Sequence, residues 1–167
     1  MKIIQANSVE DIAAVRRLFE EYAASLQIDL CFQNFSTELA GLPGAYASPR
    51  GRLLLALADG IPAGCVALRP HDNQAAEMKR LYVSPKRQGL GLGRKLAEAA
   101  IAEARAIGYT SMLLDTLPTM QKAIRLYESL GFERRPPYFN SPVDGNVFME
   151  LRLGKAEDRT KMSDCGC

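Results

Sequence analysis

The sequence predicts an α+β domain, a mixed and mostly antiparallel sheet of about seven strands flanked by about four helices. Three observations carry this. Apolar residues recur at helical spacing over 9–26, 89–107 and 119–130. Short β-type runs at 53–58, 61–69 and 76–83 follow one another with only turns between them, which implies an antiparallel meander. From residue 76 onward strands and helices alternate, and the sheet becomes mixed.

Taken in order, 2–7 is a short apolar segment and reads as the first strand. Ser8 with Asp11 three residues on forms a capping pair, after which Ile12, Val15, Phe19, Tyr22 and Leu26 mark an amphipathic helix over 9–26. A short second helix is expected over 34–41, ended by Gly41-Leu42-Pro43-Gly44. The stretch 43–52 reads as loop. The run 53–58, the Asp59-Gly60 turn and 61–69 make a hairpin, 70–74 is a turn, and 76–83 is the fourth strand. Leu92, Leu96, Ala99, Ala100, Ala104 and Ile107 stripe a third helix that closes at Gly108. A fifth strand follows over 109–116. A fourth helix over 119–130 carries Ala123, Ile124, Tyr127 and Leu130 on one face and stops at Gly131. Two closing strands, 132–135 and 147–153, flank the loop 136–146. The charged, small-residue stretch 154–167 reads as a disordered tail, leaving one domain over 1–153.

Composition excludes several classes. With 167 residues the chain can bury a sizeable core, and 47% apolar with 24% charged residues is ordinary for a globular protein. A net charge of +2 is too small for a nucleic-acid face. The basic residues gather locally, at Lys79-Arg80, Lys86-Arg87 and Arg134-Arg135, which fits a local anion site better. No apolar run reaches about 18 residues, and the N-terminus turns polar after four, against a signal peptide. A cytoplasmic location with no membrane partner is expected. Cys31 and Cys65 read as packed thiols. Cys165-Gly166-Cys167 lacks the four-ligand set of a structural zinc site, so no metal is expected. His71, the only histidine, reads as a solvated loop residue, and no Ser-His-Asp triad can be assembled.

The most informative stretch is Gln88-Gly89-Leu90-Gly91-Leu92-Gly93-Arg94, three alternating glycines at the mouth of a helix. Helix N-termini leave N–H groups unpaired at the positive end of the helix dipole, and so bind phosphates. Lys86, Arg87 and Arg94 add charge on either side, and a pyrophosphate is the natural guest. The dinucleotide fingerprint G-x-G-x-x-G fails, because it needs glycine where Arg94 stands. The Walker pattern fails at the same residue. The spacing that remains is [QR]-x-x-G-x-[GA], met by Gln88, Gly91 and Gly93.

In its context this spacing resembles the GNAT superfamily of acyl-CoA-dependent N-acyltransferases. "EMKRLYVSPKRQGLGLGRKLAEAA" is similar to that family's fourth strand with its coenzyme A pyrophosphate loop and helix. "AIRLYESLGF" is similar to its later helix with the Tyr-x-x-x-Gly-Phe signature. The resemblance spans about 1–153 and implies a GNAT-like fold in which the fourth and fifth strands splay into a V-shaped slot. Acetyl-CoA would lie there, its pantetheine arm bonding main-chain groups of Leu81 and Val83 beside Tyr82. Its pyrophosphate would take N–H groups from Gln88, Gly89, Leu90, Gly91, Leu92, Gly93 and Arg94 beside Arg87, with Ala123 and Tyr127 on the later helix completing the coenzyme contacts.

The implied reaction is direct attack of an amine on the thioester. A primary amine with a lysine-like pKa near 10.4 is less than about one part in a thousand neutral at pH 7, so a base is needed. Glu77 on the fourth strand is the candidate base, usually acting through water in this family, and Asp115 is the runner-up. A departing thiolate with a pKa of roughly 8.5 benefits from a nearby acid, and Tyr127 matches the family's position for it. Each residue also has a plain structural role open to it: Tyr127 as a core tyrosine, Glu77 as a salt-bridged strand residue. One departure stands out, since Met120 occupies a position where the family often carries an asparagine against the coenzyme.

The acceptor pocket is expected around the loop at 28–36 and the loop between the last two strands. These bring Phe32, Phe35, Tyr138, Phe139 and Asn140, with Arg50 or Arg52 near. Aromatics with arginine suit a small substrate bearing a carboxylate. The partners expected are therefore acetyl-CoA and an amine-bearing acceptor, with a second copy of the chain as a further candidate. A non-catalytic acyl-CoA sensor of the same fold is the competing reading.

Overall fold

A computed structural model describes residues 1–26, 29–30 and 34–154. The elements run β1 (Lys2–Gln5), α1 (Val9–Ser25), α2 (Phe35–Ala40), β2 (Arg52–Ala58), β3 (Ile61–Pro70), β4 (Ala75–Val83), α3 (Leu92–Ile107), β5 (Ser111–Thr116), α4 (Gln121–Ser129), β6 (Glu133–Arg135) and β7 (Val147–Arg152). This is the order expected from the sequence. The expectations for Cys31, Phe32 and the tail with Cys165 and Cys167 fall outside the described residues.

The strands form one seven-stranded sheet in the order β1-β2-β3-β4-β5-β7-β6. β1–β2, β2–β3, β5–β7 and β6–β7 pair antiparallel. β4 and β5 run parallel, with Ala75, Ala76 and Glu77 opposite Ser111, Met112 and Leu113. This mixed sheet with four helices is the α+β class that the alternating pattern implies. Among the described residues no helix is long and apolar enough to cross a membrane.

The chain folds as two compact units. The first comprises Met1–Arg69 with Met78–Ala100. Its core is built where α1 lays Val15, Leu18 and Phe19 against Leu53 and Leu55 of β2 and Cys65 and Ala67 of β3, with Tyr46 and, at the edge, Phe35, Leu39 and Tyr82. The helix starts where the capping pair places it. Ser8 Oγ accepts from Asp11 N–H at 3.0 Å while Asp11 Oδ2 accepts from Ser8 N–H at 3.3 Å, satisfying two orphan donors reciprocally. Cys65 is a fully buried free thiol, as expected, and burial pushes its pKa up.

The second unit comprises Pro70–Glu77 and the chain from Ile101 on. Its buried side chains include Met112 and Leu114 of β5, Ile124 and Tyr127 of α4, Phe132, and Phe148, Met149 and Leu151 of β7. Several element boundaries shift from expectation, and two of the shifts have a visible physical cause. Tyr109 is buried but precedes β5, its N–H closing the end of α3 on Ala104 O at 3.1 Å. Phe132 is buried but belongs to the stop of α4, as described below.

Candidate active site

The glycine junction lies in the first unit. β4 ends at Val83, and Ser84 N–H donates to Ala63 O at 2.9 Å, tying the strand end to β3. A single 3-10 turn at Pro85–Arg87 follows, and α3 begins at Leu92. The carbonyl of Gly91 accepts from Lys95 N–H at 3.2 Å. The N–H groups of Leu92, Gly93 and Arg94 precede that bond and so lie outside the helix's own ladder. Gly89 and Gly91 take φ of 83° and 73°, in the left-handed region where a Cβ is strained. A Cβ built at either meets nothing within 4 Å, so the backbone faces open space. This suits a phosphate-bearing guest: bare amides, a helix N-terminus, and exposed Lys86 and Arg94 beside it.

Not every predicted coenzyme residue keeps a free side chain. Gln88 Nε2 donates to Val83 O at 3.1 Å, so this side chain braces the loop. Arg87 leans towards Asp59 at 3.9 Å, and Arg94 pairs with Glu98 at 3.4 Å on the exposed face of α3. The Tyr82 ring packs edge-on to Tyr22 at 5.9 Å, and its hydroxyl donates to Glu21 Oε2 at 3.4 Å. Burial, then the Glu21 charge, raise the Tyr82 pKa. Leu81 and Val83 are half-buried, and Leu90 is 67% exposed.

Two charged side chains of β4 find partners distant in the sequence. Arg80 has a side chain 3% exposed and a left-handed backbone, φ 59°, rare for a residue with a Cβ. Three contacts hold it there. Its Nε and Nη2 donate to the two carboxylate oxygens of Glu38 at 3.0 and 3.1 Å. Its guanidinium lies 5.2 Å over the Phe35 ring, and its carbonyl accepts from Cys65 Sγ at 3.5 Å. Burial works against the charge, but the hydrogen bonds and charge of Glu38 outweigh it, and the guanidinium pKa stays raised. Phe35, expected to line an acceptor pocket, is thus engaged with Arg80. Arg52 likewise donates to Ser48 Oγ, Pro49 O and Gly51 O, clasping its own loop.

In the second unit Glu77 is 3% exposed, a carboxylate in a strand of mostly apolar neighbours. Burying an ionised carboxylate is costly unless a partner meets it, and Tyr138 supplies one, donating its hydroxyl to Glu77 Oε2 at 2.7 Å. Tyr138 stands on the loop between β6 and β7, and His71 meets its ring edge-on at 5.2 Å. Asp115, the runner-up base, accepts from Asn146 Nδ2 at 3.1 Å. Sequence reasoning placed Tyr138 and Glu77 separately and missed that they touch. The two arginines expected to help form an anion site, Arg134 and Arg135, are paired with Glu128 at 3.7 Å and Glu150 at 3.3 Å.

Tyr127 is held by the way α4 ends. Gly131 adopts φ 99°; its N–H donates to Glu128 O at 3.0 Å, and Phe132 N–H donates to Tyr127 O at 3.0 Å. This is a Schellman stop, which brings the residue after the glycine against the helix's last turn. Phe132 accordingly meets the buried Tyr127 ring edge-on at 5.7 Å. At the other end Met120 caps the helix and its Sδ accepts from Thr116 Oγ1 at 3.7 Å, while Ala123 is half-buried. The methionine that departs from the family pattern therefore serves the turn before α4.

Strand order, the glycine-lined helix mouth and the buried carboxylate of β4 together define an acyltransferase class of protein. The chain belongs to the acetyltransferase (GNAT) family, whose sequence model matches residues 13–132. It is 40% identical over 148 residues to an uncharacterized N-acetyltransferase of Schizosaccharomyces pombe, covering 87% of this chain and 91% of that one. Among solved structures, an acetyltransferase from Streptococcus agalactiae superposes with a TM-score of 0.76 at 24% identity, covering 90% of this chain and 97% of that one. A Salmonella typhimurium structure that holds acetyl-CoA as its cofactor superposes with a TM-score of 0.67 at 23% identity, covering 93% and 95%.

Proposed function

We propose that the protein transfers an acetyl group from acetyl-CoA to a primary amine of a small acceptor, with 1–153 acting as the acyltransferase domain. The observation that carries this reading beyond mere coenzyme binding is Glu77, a buried carboxylate in β4 where the family often places its base. The acetyl-CoA seen in the Salmonella typhimurium relative of the same fold supports the choice of donor.

Acetyl-CoA supplies the activated thioester; the chain's residues hold it and manage protons. The N–H groups of Gly89 to Arg94 bind the pyrophosphate, and main-chain groups of Leu81 and Val83 bind the pantetheine. Glu77, through water, takes the proton that the acceptor ammonium must lose. The amine nitrogen bonds to the acetyl carbon as the carbon–sulfur bond breaks, and the Tyr127 hydroxyl gives its proton to the departing sulfur. The attacking nitrogen sheds its second proton as the amide forms, and that proton restores Tyr127 through solvent while the one taken by Glu77 passes to bulk water, leaving an amide and free coenzyme A.

Incubating the full chain with acetyl-CoA and a panel of primary amines, while following thiol release, tests the proposal. Amine-dependent release that disappears in Glu77→Gln is the expected result. Tight coenzyme binding without amine-dependent release would make the protein a sensor of acyl-CoA instead.

A further inference from the structure

The contact between Tyr138 and Glu77 joins residues 61 positions apart at 2.7 Å, within the range for a hydroxyl donated to a carboxylate. The Tyr138 ring has little freedom. Phe139 meets it edge-on at 5.4 Å, Phe148 of β7 at 5.2 Å and His71 at 5.2 Å, and the Arg135 guanidinium lies over it at 5.6 Å. Phe139 and Phe148 also meet each other at 5.1 Å, so the loop carries its own small aromatic cluster. The hydroxyl is aimed at Glu77 by a frame of rings. On the carboxylate side, Glu77 stands opposite apolar Leu113 in the β4–β5 ladder. His71 and Arg135, the latter paired with Glu150, are ionisable groups that meet the Tyr138 ring.

We propose that Tyr138 is a positioning residue that fixes the orientation and ionised state of Glu77, so that the loop 136–146 sets the readiness of the base. A hydroxyl donated to a carboxylate favours its charged form. It also holds Oε2 and so fixes the plane of the carboxylate, the kind of second support a preorganised site requires. The inference rests on reading Glu77 as the base, and its test separates the two.

The test is Tyr138→Phe in the full chain, which removes one oxygen and keeps the ring. The Glu77 carboxyl carbon is titrated by 13C NMR in the free protein, with Glu77→Gln identifying its signal. The midpoint is expected to rise by about one pH unit, the scale of a hydrogen bond to a charged group. The acid limb of kcat/KM for amine acetylation rises with it while the KM for acetyl-CoA stays put. His71→Asn, which removes the imidazole and leaves the hydroxyl, should leave most of the midpoint in place. Tyr138→Leu, a second variant lacking both hydroxyl and ring, should move it at least as far as Tyr138→Phe. An unmoved midpoint in both Tyr138 variants, with Glu77→Gln inactive, overturns this inference alone. A Glu77→Gln variant that turns over at the wild-type rate overturns the base reading and this inference with it.

Discussion

Replacing Glu38 with glutamine keeps the side chain's shape and removes one charge from a pair sealed inside the first unit. Arg80 is 3% exposed and Glu38 12%, and both guanidinium contacts lie within hydrogen-bond length, 3.0 and 3.1 Å. Removing one partner of a buried pair costs about 3–5 kcal/mol, because the other charge stays uncompensated in a poorly solvated place. Glu38 keeps slight access to water and glutamine still offers one carbonyl oxygen, so the lower end, about 3 kcal/mol, applies. At about 2–4 °C per kcal/mol for a chain of this size, the midpoint of thermal unfolding should fall by about 6–12 °C. The exposed pair Arg94–Glu98, 45% and 52% exposed, supplies the control. Glu98→Gln should cost only about 0.3–0.5 kcal/mol, a degree or two. Circular dichroism melts of the two variants against the unmodified chain measure both. If Glu38→Gln melts within about 1 °C of the parent, or if Glu98→Gln costs as much, burial is not what gives the Arg80 pair its weight and the reasoning fails.

Four further outcomes follow from the geometry. Gly91→Glu should weaken acetyl-CoA binding at least about tenfold by calorimetry, and Gly91→Ala, which shares the backbone strain without the charge, should weaken it less. Tyr127→Phe should lower kcat by about 10²-fold or more while the acetyl-CoA Kd stays unchanged; an unchanged rate makes Tyr127 a packing residue. Gly64→Ala would set a Cβ 2.7 Å from the Tyr82 carbonyl and 3.1 Å from Leu96 Cδ1, an overpacking worth about 1–3 kcal/mol, and should lower both the melting point and the coenzyme affinity as the end of β4 is pushed aside. Asp72 has its carboxyl pKa lowered by the N–H groups of Gln74 and Ala75. A lowered folded-state pKa contributes stability above the ordinary carboxylate range, which is lost as pH falls through the folded value, so urea midpoints of the parent and Asp72→Asn should differ at pH 7 and draw together as pH falls below that range.

The order of elements was readable because each announces itself locally: the Ser8–Asp11 box, the Leu92–Leu96–Ala100 stripe, Gly131 after α4. The glycine loop was readable for the same reason, since its glycines and the strand and helix around them are contiguous. The two contacts that shape β4 were not. Glu38 and Arg80 lie 42 residues apart, and Tyr138 and Glu77 lie 61 apart. Nothing periodic in a chain signals a pairing of that span. The only clue was compositional: Glu77, Lys79 and Arg80 are charged residues within a strand whose neighbours are apolar, and all three prove buried. Arg52 shows the converse, an arginine whose chemistry suits a substrate carboxylate but whose donors close its own loop.

The Schellman stop has a bearing on how this kind of sequence can change. Tyr127, Gly131 and Phe132 fix one another through bonds spanning only six residues. These bonds write a hold on the tyrosine into a short local segment, apart from the long loop 136–146. The opposite holds for Glu77, whose partner sits on that very loop. Drift in the loop would leave those bonds of Tyr127, the proposed acid, in place and move the partner of Glu77, the proposed base. Within one fold, the two ends of the proton traffic are free to evolve at different speeds.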